Sequence, residues 1–112
     1  MESILTSIKK LLGIAEEYTH FDQDIIMQIN SALFDLTQLG VGPSAGFSID
    51  DAKDVWNDFV DVSRIEAVKT YVYLSVKLIF DPPDKSAVID AYERRLKELE
   101  WRLNVAVDPA EV

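Results

Sequence analysis

The chain has 112 residues, 48% of them hydrophobic and 28% charged, which fits one domain folded around one core and excludes both a two-domain enzyme and a disordered chain. It contains no cysteine, so a disulfide scaffold, a thiolate nucleophile and a cysteine-ligated metal centre are excluded. Eleven basic residues against 20 acidic ones give a net charge of −9. Binding along a phosphate backbone is therefore disfavoured, because that affinity comes from lysine and arginine releasing counterions.

The first predicted element is a short amphipathic helix. Ile4, Leu5, Ile8, Leu11 and Leu12 recur at three- and four-residue spacing, and Gly13 supplies the residue a helix needs to stop. A second helix is expected after Thr19, with Asp22 completing a capping box and a stripe through Ile25, Ile29, Ala32, Leu33, Leu36 and Leu39 ending at Gly40. Residues 41–49 hold Gly42, Gly46 and Pro43 and read as a polar loop, with a short extended piece at Phe47 to Ile49. Ser48 and Asp51 repeat the cap signal, so a short helix is expected through Val55, Trp56 and Phe59.

The segment from Ser63 to Phe80 is rich in β-branched and aromatic residues, yet it is too long for a strand and contains neither glycine nor proline. It reads as a central, mostly buried helix with Lys69, Tyr73 and Lys77 along one polar-tipped face. Asp81-Pro82-Pro83-Asp84 stops it, because proline lacks the helix donor and disfavours helical backbone in the residue before it. The last helix is expected over 86–103, with Ile89, Tyr92, Leu96, Leu99 and Leu103 on one face and the pairs Glu93–Lys97, Arg94–Glu98 and Glu98–Arg102 on the other. The expected fold is thus all-α, a small bundle of about five helices with a polar Gly/Pro loop. A single domain is expected over 1–104, with residues 105–112 forming an unstructured, flexible C-terminal tail.

Targeting signals are not legible. Glu2 spoils a basic start, and the most apolar stretch, Tyr71 to Phe80, is broken by Ser75 and Lys77 and falls far short of the about 20 residues that span a bilayer. A soluble, intracellular protein is expected.

Motifs for catalysis are equally sparse. The single histidine, His20, precedes the second helix and reads as a loop or cap contact, since no serine sits in a nucleophile elbow. Gly40, Gly42 and Gly46 lack the Lys-Ser/Thr of a phosphate loop and read as turn residues. No catalytic residue, cofactor site or metal site is assigned.

Two features stand out from this background. Asp50, Asp51, Asp54, Asp58 and Asp61 form the densest charge cluster, relieved only by Lys53. Their spacing lacks the central glycine and terminal glutamate of a calcium loop, which leaves a solvated helix face or an acidic surface that meets a basic partner or lines a passage for DNA. Phe34 and Trp101 are the second feature, because each lies off its helix's apolar stripe. Each reads either as core on a second face or as an interface anchor, Trp101 with Lys97 and Arg102 in its polar rim.

The wording of the segments carries a further signal. The opening Ile4-Leu5-Thr6-Ser7-Ile8-Lys9-Lys10-Leu11-Leu12-Gly13-Ile14, the run Phe21-Asp22-Gln23-Asp24-Ile25-Ile26 with Ile29-Asn30, and Gln38-Leu39-Gly40-Val41-Gly42-Pro43 resemble the tailed-bacteriophage head–tail connector (adaptor) family. Phe47-Ser48-Ile49, Trp56-Asn57-Asp58-Phe59, Ala67 to Leu74, Phe80-Asp81-Pro82-Pro83 and Lys97 to Asn104 continue the resemblance over nearly the whole chain.

The resemblance implies a structural, non-enzymatic virion subunit at the head–tail junction, present in the bacterial host cytoplasm during assembly. Its implied partners are itself in a ring, expected to be a dodecamer on the portal, the portal protein, and the next head-completion or tail protein. DNA would pass through the lumen without sequence-specific binding, and the ring would help retain packaged DNA. Ring contacts are expected at the polar loop and the C-terminal tail. Two other classes compete: a small acidic regulator or DNA mimic that binds a basic partner, and a carboxylate-dependent hydrolase using Asp54 and Asp58 one helical turn apart.

Overall fold

The computed structural model describes residues 2–107, with side chains described as far as Val105. Four α-helices form the body: α1 (Ile4–Leu12), α2 (Asp22–Gln38), α3 (Ile65–Phe80) and α4 (Ser86–Val107). Two single 3₁₀ turns, Trp56–Asp58 and Val62–Arg64, interrupt the long connection between α2 and α3. The fold is all-α, with four helices where about five were expected. The body is flat, with extents of 45 × 35 × 19 Å.

Local sequence sets most of the helix ends. Ser3 caps α1 by accepting a hydrogen bond from the Thr6 amide at 3.2 Å. At the other end Gly13 takes φ +81°, and the amides of Gly13 and Ile14 donate to the carbonyls of Lys10 and Lys9. Gly40, at φ +87°, closes α2 in the same way: its amide donates to Thr37 and that of Val41 to Leu36. The expected stop signals at Gly13 and Gly40 therefore hold.

The start of α2 differs from the expectation. Its cap position is Phe21 and no side chain caps it. The Asp22 carboxylate is turned instead toward the Lys9 ammonium, 2.8 Å away, and so does not close a box with Thr19. The first turn of α2 still carries Asp22 and Asp24, whose charge favours the helix N-terminus.

The segment around 48–61 departs furthest. A helix through Val55, Trp56 and Phe59 was expected, but only one 3₁₀ turn forms. The reason lies in pairing with the N-terminus. Val55 is extended and bridges Ser3, the Ile4 amide donates to the Asp54 carbonyl at 3.0 Å, and the Trp56 amide donates to the Glu2 carbonyl at 3.2 Å. Backbone groups that a helix would use internally are engaged sideways.

Asn30 fixes the other side of the same loop. Its amide nitrogen donates to the Ile49 carbonyl at 3.0 Å, while its amide oxygen accepts from the Ile49 amide at 2.7 Å. The extended piece expected at Phe47 to Ile49 is thus held by a side chain, and no strand is present among the described residues. Gly42 sits at φ +88° against Phe59, so close that an added Cβ would fall 2.5 Å from Phe59 Cε1. Only glycine fits there.

Helix α3 is central, as its composition implies, and packs against α1, α2 and α4 through Val68, Tyr71, Val72, Leu74 and Val76. It begins at Ile65, two residues later than expected, because Val62–Arg64 form the preceding 3₁₀ turn. On its polar-tipped face Lys69 reaches Glu2 at 2.8 Å and Lys77 reaches Asp81 at 2.8 Å. Phe21 meets Phe80 edge-on at 5.3 Å, which closes the start of α2 over the end of α3.

Helix α4 runs to Val107, past the expected boundary at 104, so residues 105–107 are helical; the remainder of the expected tail, 108–112, lies outside the described residues. Of its expected stripe, Leu99 and Leu103 are buried, and Ile89, Tyr92 and Leu96 are half-buried. Of its expected ion pairs only Glu98–Arg102 is seen among the described residues, at 3.5 Å, because Glu98 also pairs with Arg95.

The centre of the core is Trp56, fully buried, whose indole Nε1 donates to Ser7 Oγ at 2.8 Å. Ser7 passes the bond on to the Ile4 carbonyl at 3.1 Å. On another side of α1 lies a buried charge that the sequence did not announce: Lys9 is only 2% exposed. Its Nζ donates to the carbonyls of Glu16 (2.9 Å) and Tyr18 (2.8 Å) and pairs with Asp22. One ammonium therefore ties two carbonyls of the turn from α1 into α2 to the first carboxylate of α2. Lys9→Ala is expected to destabilise the fold by about 3 kcal/mol, because it strands two carbonyls and a carboxylate. Urea denaturation at neutral pH measures it, and a loss below about 1 kcal/mol would mean the turn is held by other contacts.

Candidate interaction surfaces

The five aspartates do not lie on one helix face. Asp50, Asp51 and Asp54 belong to the loop before the first 3₁₀ turn, Asp58 ends that turn, and Asp61 precedes the second. Asp54 Oδ2 accepts from the Asp50 amide at 3.0 Å, Asp51 Oδ1 from the Lys53 amide at 2.8 Å, and Asp61 Oδ1 from Ser63 Oγ at 2.8 Å. Three of the five thus shape turns in the manner common for aspartate. The helical pairing of Asp54 with Asp58, on which a two-carboxylate hydrolase depended, does not exist here.

What the cluster does have is a fixed position. The Asp54 carbonyl receives the Ile4 amide, so the acidic loop sits at the N-terminus of α1, a helix with no acidic residue in its own first turn. Negative charge is favourable at that end of the helix dipole. All five aspartates except the half-buried Asp54 are exposed. Among the described residues, no group of three or more His, Asp or Glu side chains is arranged to hold a metal ion.

Phe34 and Trp101 are surface residues, 61% and 68% exposed, and neither belongs to a second face of the core. The register of α2 and α4 relates them. The two helices run in the same direction where they meet: Asn104 Nδ2 donates to the Leu39 carbonyl at 2.9 Å, and one turn earlier Glu100 stands near enough to Asp35 to act on its charge. From that seam, one residue back on α2 and one residue forward on α4 both rotate by about 100° to the same outer side. Phe34 and Trp101 therefore flank the seam on a common face, while Leu36 and Leu99 rotate inward and are buried.

Met27, 64% exposed, lies two turns before Phe34 on the same face of α2. Lys97, one turn before Trp101, is exposed beside it. Arg102 does not join them, because it turns to the far side of α4 and pairs with Glu98. His20 is an exposed loop residue whose ring packs edge-on against Phe21 at 4.7 Å, in keeping with a loop contact.

Sequence reasoning missed the polar cluster under this seam. The Tyr71 hydroxyl donates to Glu100 Oε2 at 2.7 Å, and Asp35 faces the same carboxylate. Burial, then the Glu100 hydrogen bond and charge, push the Tyr71 hydroxyl well above the usual tyrosine range. Burial and then the Glu100 charge push Asp35 up from the usual aspartate range. The three residues come from three helices separated by 29 to 65 positions, so no local spacing announces them.

These features define an acidic, all-helical protein whose chemistry lies in its surfaces. The family described as phage connector protein matches residues 4–110. The chain belongs to the phage connector protein family, and so to the structural proteins of bacteriophage that connect head and tail. No curated protein and no solved structure matches it. Among the described residues no helix is long and apolar enough to cross a membrane.

The sign of the Asp35 effect gives a test. A carboxyl whose folded pKa is raised binds its proton more tightly in the folded state, so its contribution falls as pH rises from the unfolded value near 4 through the folded one. Asp35→Asn is therefore expected to stabilise the chain relative to the parent more at pH 7 than at pH 3.5. Urea midpoints of both proteins at the two pH values measure the difference, and an equal offset would remove the charge repulsion at this seam.

Proposed function

We propose that this protein is the connector subunit that closes into a ring on the portal vertex of a filled capsid, extends the DNA channel, helps retain packaged DNA and presents the surface to which the tail attaches. The observation that carries this reading is the family match over nearly the entire chain. In this reading the functional unit is one domain over 1–104, and 105–112, of which 105–107 continue α4, make contacts on assembly. Its partners are copies of itself, expected as a dodecamer, the portal protein, and the next head-completion or tail protein. It acts in the host cytoplasm during assembly and then at the head–tail junction. No catalytic step, cofactor or metal is assigned to it.

The net charge of −9 supports the channel role, since a negative lumen repels duplex DNA and lets it slide. The acidic loop is the segment proposed to face DNA or a basic partner, through Asp50, Asp51, Asp54, Asp58 and Asp61. Phe34 and Trp101, with Lys97, and Arg102 on the far side of α4, are proposed as contacts between proteins, because large exposed apolar side chains with a charged rim are what hot spots are made of.

Native mass spectrometry across a concentration series, alone and with portal rings, tests the assembly. A closed cyclic oligomer in either sample is expected, whereas a monomer in both would overturn the ring. The acidic loop has its own test. Replacing Asp54 and Asp58 together by Asn is expected to slow DNA ejection or hinder packaging, and unchanged phage titre and ejection kinetics would count against a lumen role for the loop.

A further inference from the structure

An open groove of about 480 Å³ runs along the junction of α3 and α4. Its floor and wall are apolar, formed by Leu78 and Ile79 from α3 and Ile89 and Leu96 from α4, with Ser75 as a small residue between them. Ile79 is 65% exposed, although it stands in the last turn of the central helix. From Ile89 to Glu100 the groove follows three turns of α4, about 16 Å.

One end of the trough is acidic. Asp35 and Glu100 stand there, Glu93 lies two turns back along α4, and no lysine or arginine pairs with any of the three among the described residues. Lys97, the neighbour spaced to pair with Glu93, leaves it unpaired. Glu100 accepts a hydrogen bond from Tyr71, which fixes its position without neutralising it.

We propose that this groove is the docking site for a partner's amphipathic segment that lays apolar side chains along Ile79 and Leu96 and ends in a lysine or arginine at Asp35 and Glu100. The apolar length and the terminal acids together prescribe that occupant. A small ligand fits less well, because an open trough would leave much of it in water. A second copy fits less well too, because it brings another net charge of −9 to an end that already holds the carboxylates of Asp35 and Glu100. The inference goes beyond the connector role and does not depend on ring formation.

The test uses the full chain and two synthetic peptides of about 14 residues, spaced at i, i+4, i+7 and i+11 on one helical face. Both carry leucine at the first three positions; one has lysine at the fourth and its twin has glutamate. Fluorescence anisotropy gives affinity, and ¹⁵N–¹H spectra map the site. The lysine peptide is expected to bind about tenfold more tightly than its twin and to shift the amides of Ser75, Ile79 and Leu96. Ile79→Ser, at an exposed position that the fold tolerates, is expected to weaken both peptides. Glu100→Gln with Asp35→Asn is expected to narrow the difference between them to about threefold or less.

Equal affinity for the two peptides would overturn the proposal, as would shifts confined to the face of Phe34 and Trp101. Concentration-dependent shifts at Ser75 and Ile79 without peptide would assign the groove to a second copy and overturn it as well. None of these outcomes bears on whether the chain forms a ring, so the two readings fail separately.

Discussion

The indole of Trp56, sealed in the core and hydrogen-bonded to Ser7, ties the irregular part of this chain to its helices. Between Gln38 and Ile65 there are only two single 3₁₀ turns, an unusual length of irregular chain inside a small bundle. Such a segment survives only if its polar backbone finds partners. Trp56 places it, the edge of the N-terminus pairs with it at Asp54 and Trp56, and Asn30 holds Ile49 from the opposite side. Helix α1, nine residues long and too short to be stable alone, gains its position from the same contacts.

Charge is distributed on two different principles. Where a single cation is buried, as at Lys9, it meets two carbonyls and a carboxylate, and the charge organises a turn. Where carboxylates gather, they are left toward solvent or toward one another. The aspartates of the 50–61 loop satisfy local amides and hydroxyls on one side and remain exposed on the other. At the seam of α2, α3 and α4, Asp35 and Glu100 share a site with no ion-paired lysine or arginine among the described residues, and Tyr71 holds Glu100.

The flat shape gives these surfaces their meaning. A body 19 Å thick has little interior beyond one layer of packed helices, so each helix keeps a face free. Helix α4 shows this most clearly: Leu99 and Leu103 are its buried anchors, and Trp101 between them points outward. The chain that carries these exposed apolar side chains and carboxylates belongs to the phage connector protein family.

The sequence by itself determined what depends on neighbours along the chain. Periodicity located all four α-helices, Gly13 and Gly40 marked two helix ends by their left-handed backbone, and Pro82 and Pro83 marked the end of α3. Segment wording spread over the chain pointed to the family that the later match supports. Tertiary structure decided wherever a distant group competed for the same atoms. The Asp22 carboxylate went to Lys9 instead of Thr19, and the backbone near Val55 went to the N-terminus instead of a helix. Phe34 and Trp101 came to one face, and Asp35, Tyr71 and Glu100 to one seam, through the packing of α2 and α4 against α3. Local propensities of a few tenths of a kcal/mol to about 1 kcal/mol per residue yield to such contacts, because a buried hydrogen bond or ion pair left unmade costs about 1–3 kcal/mol or more.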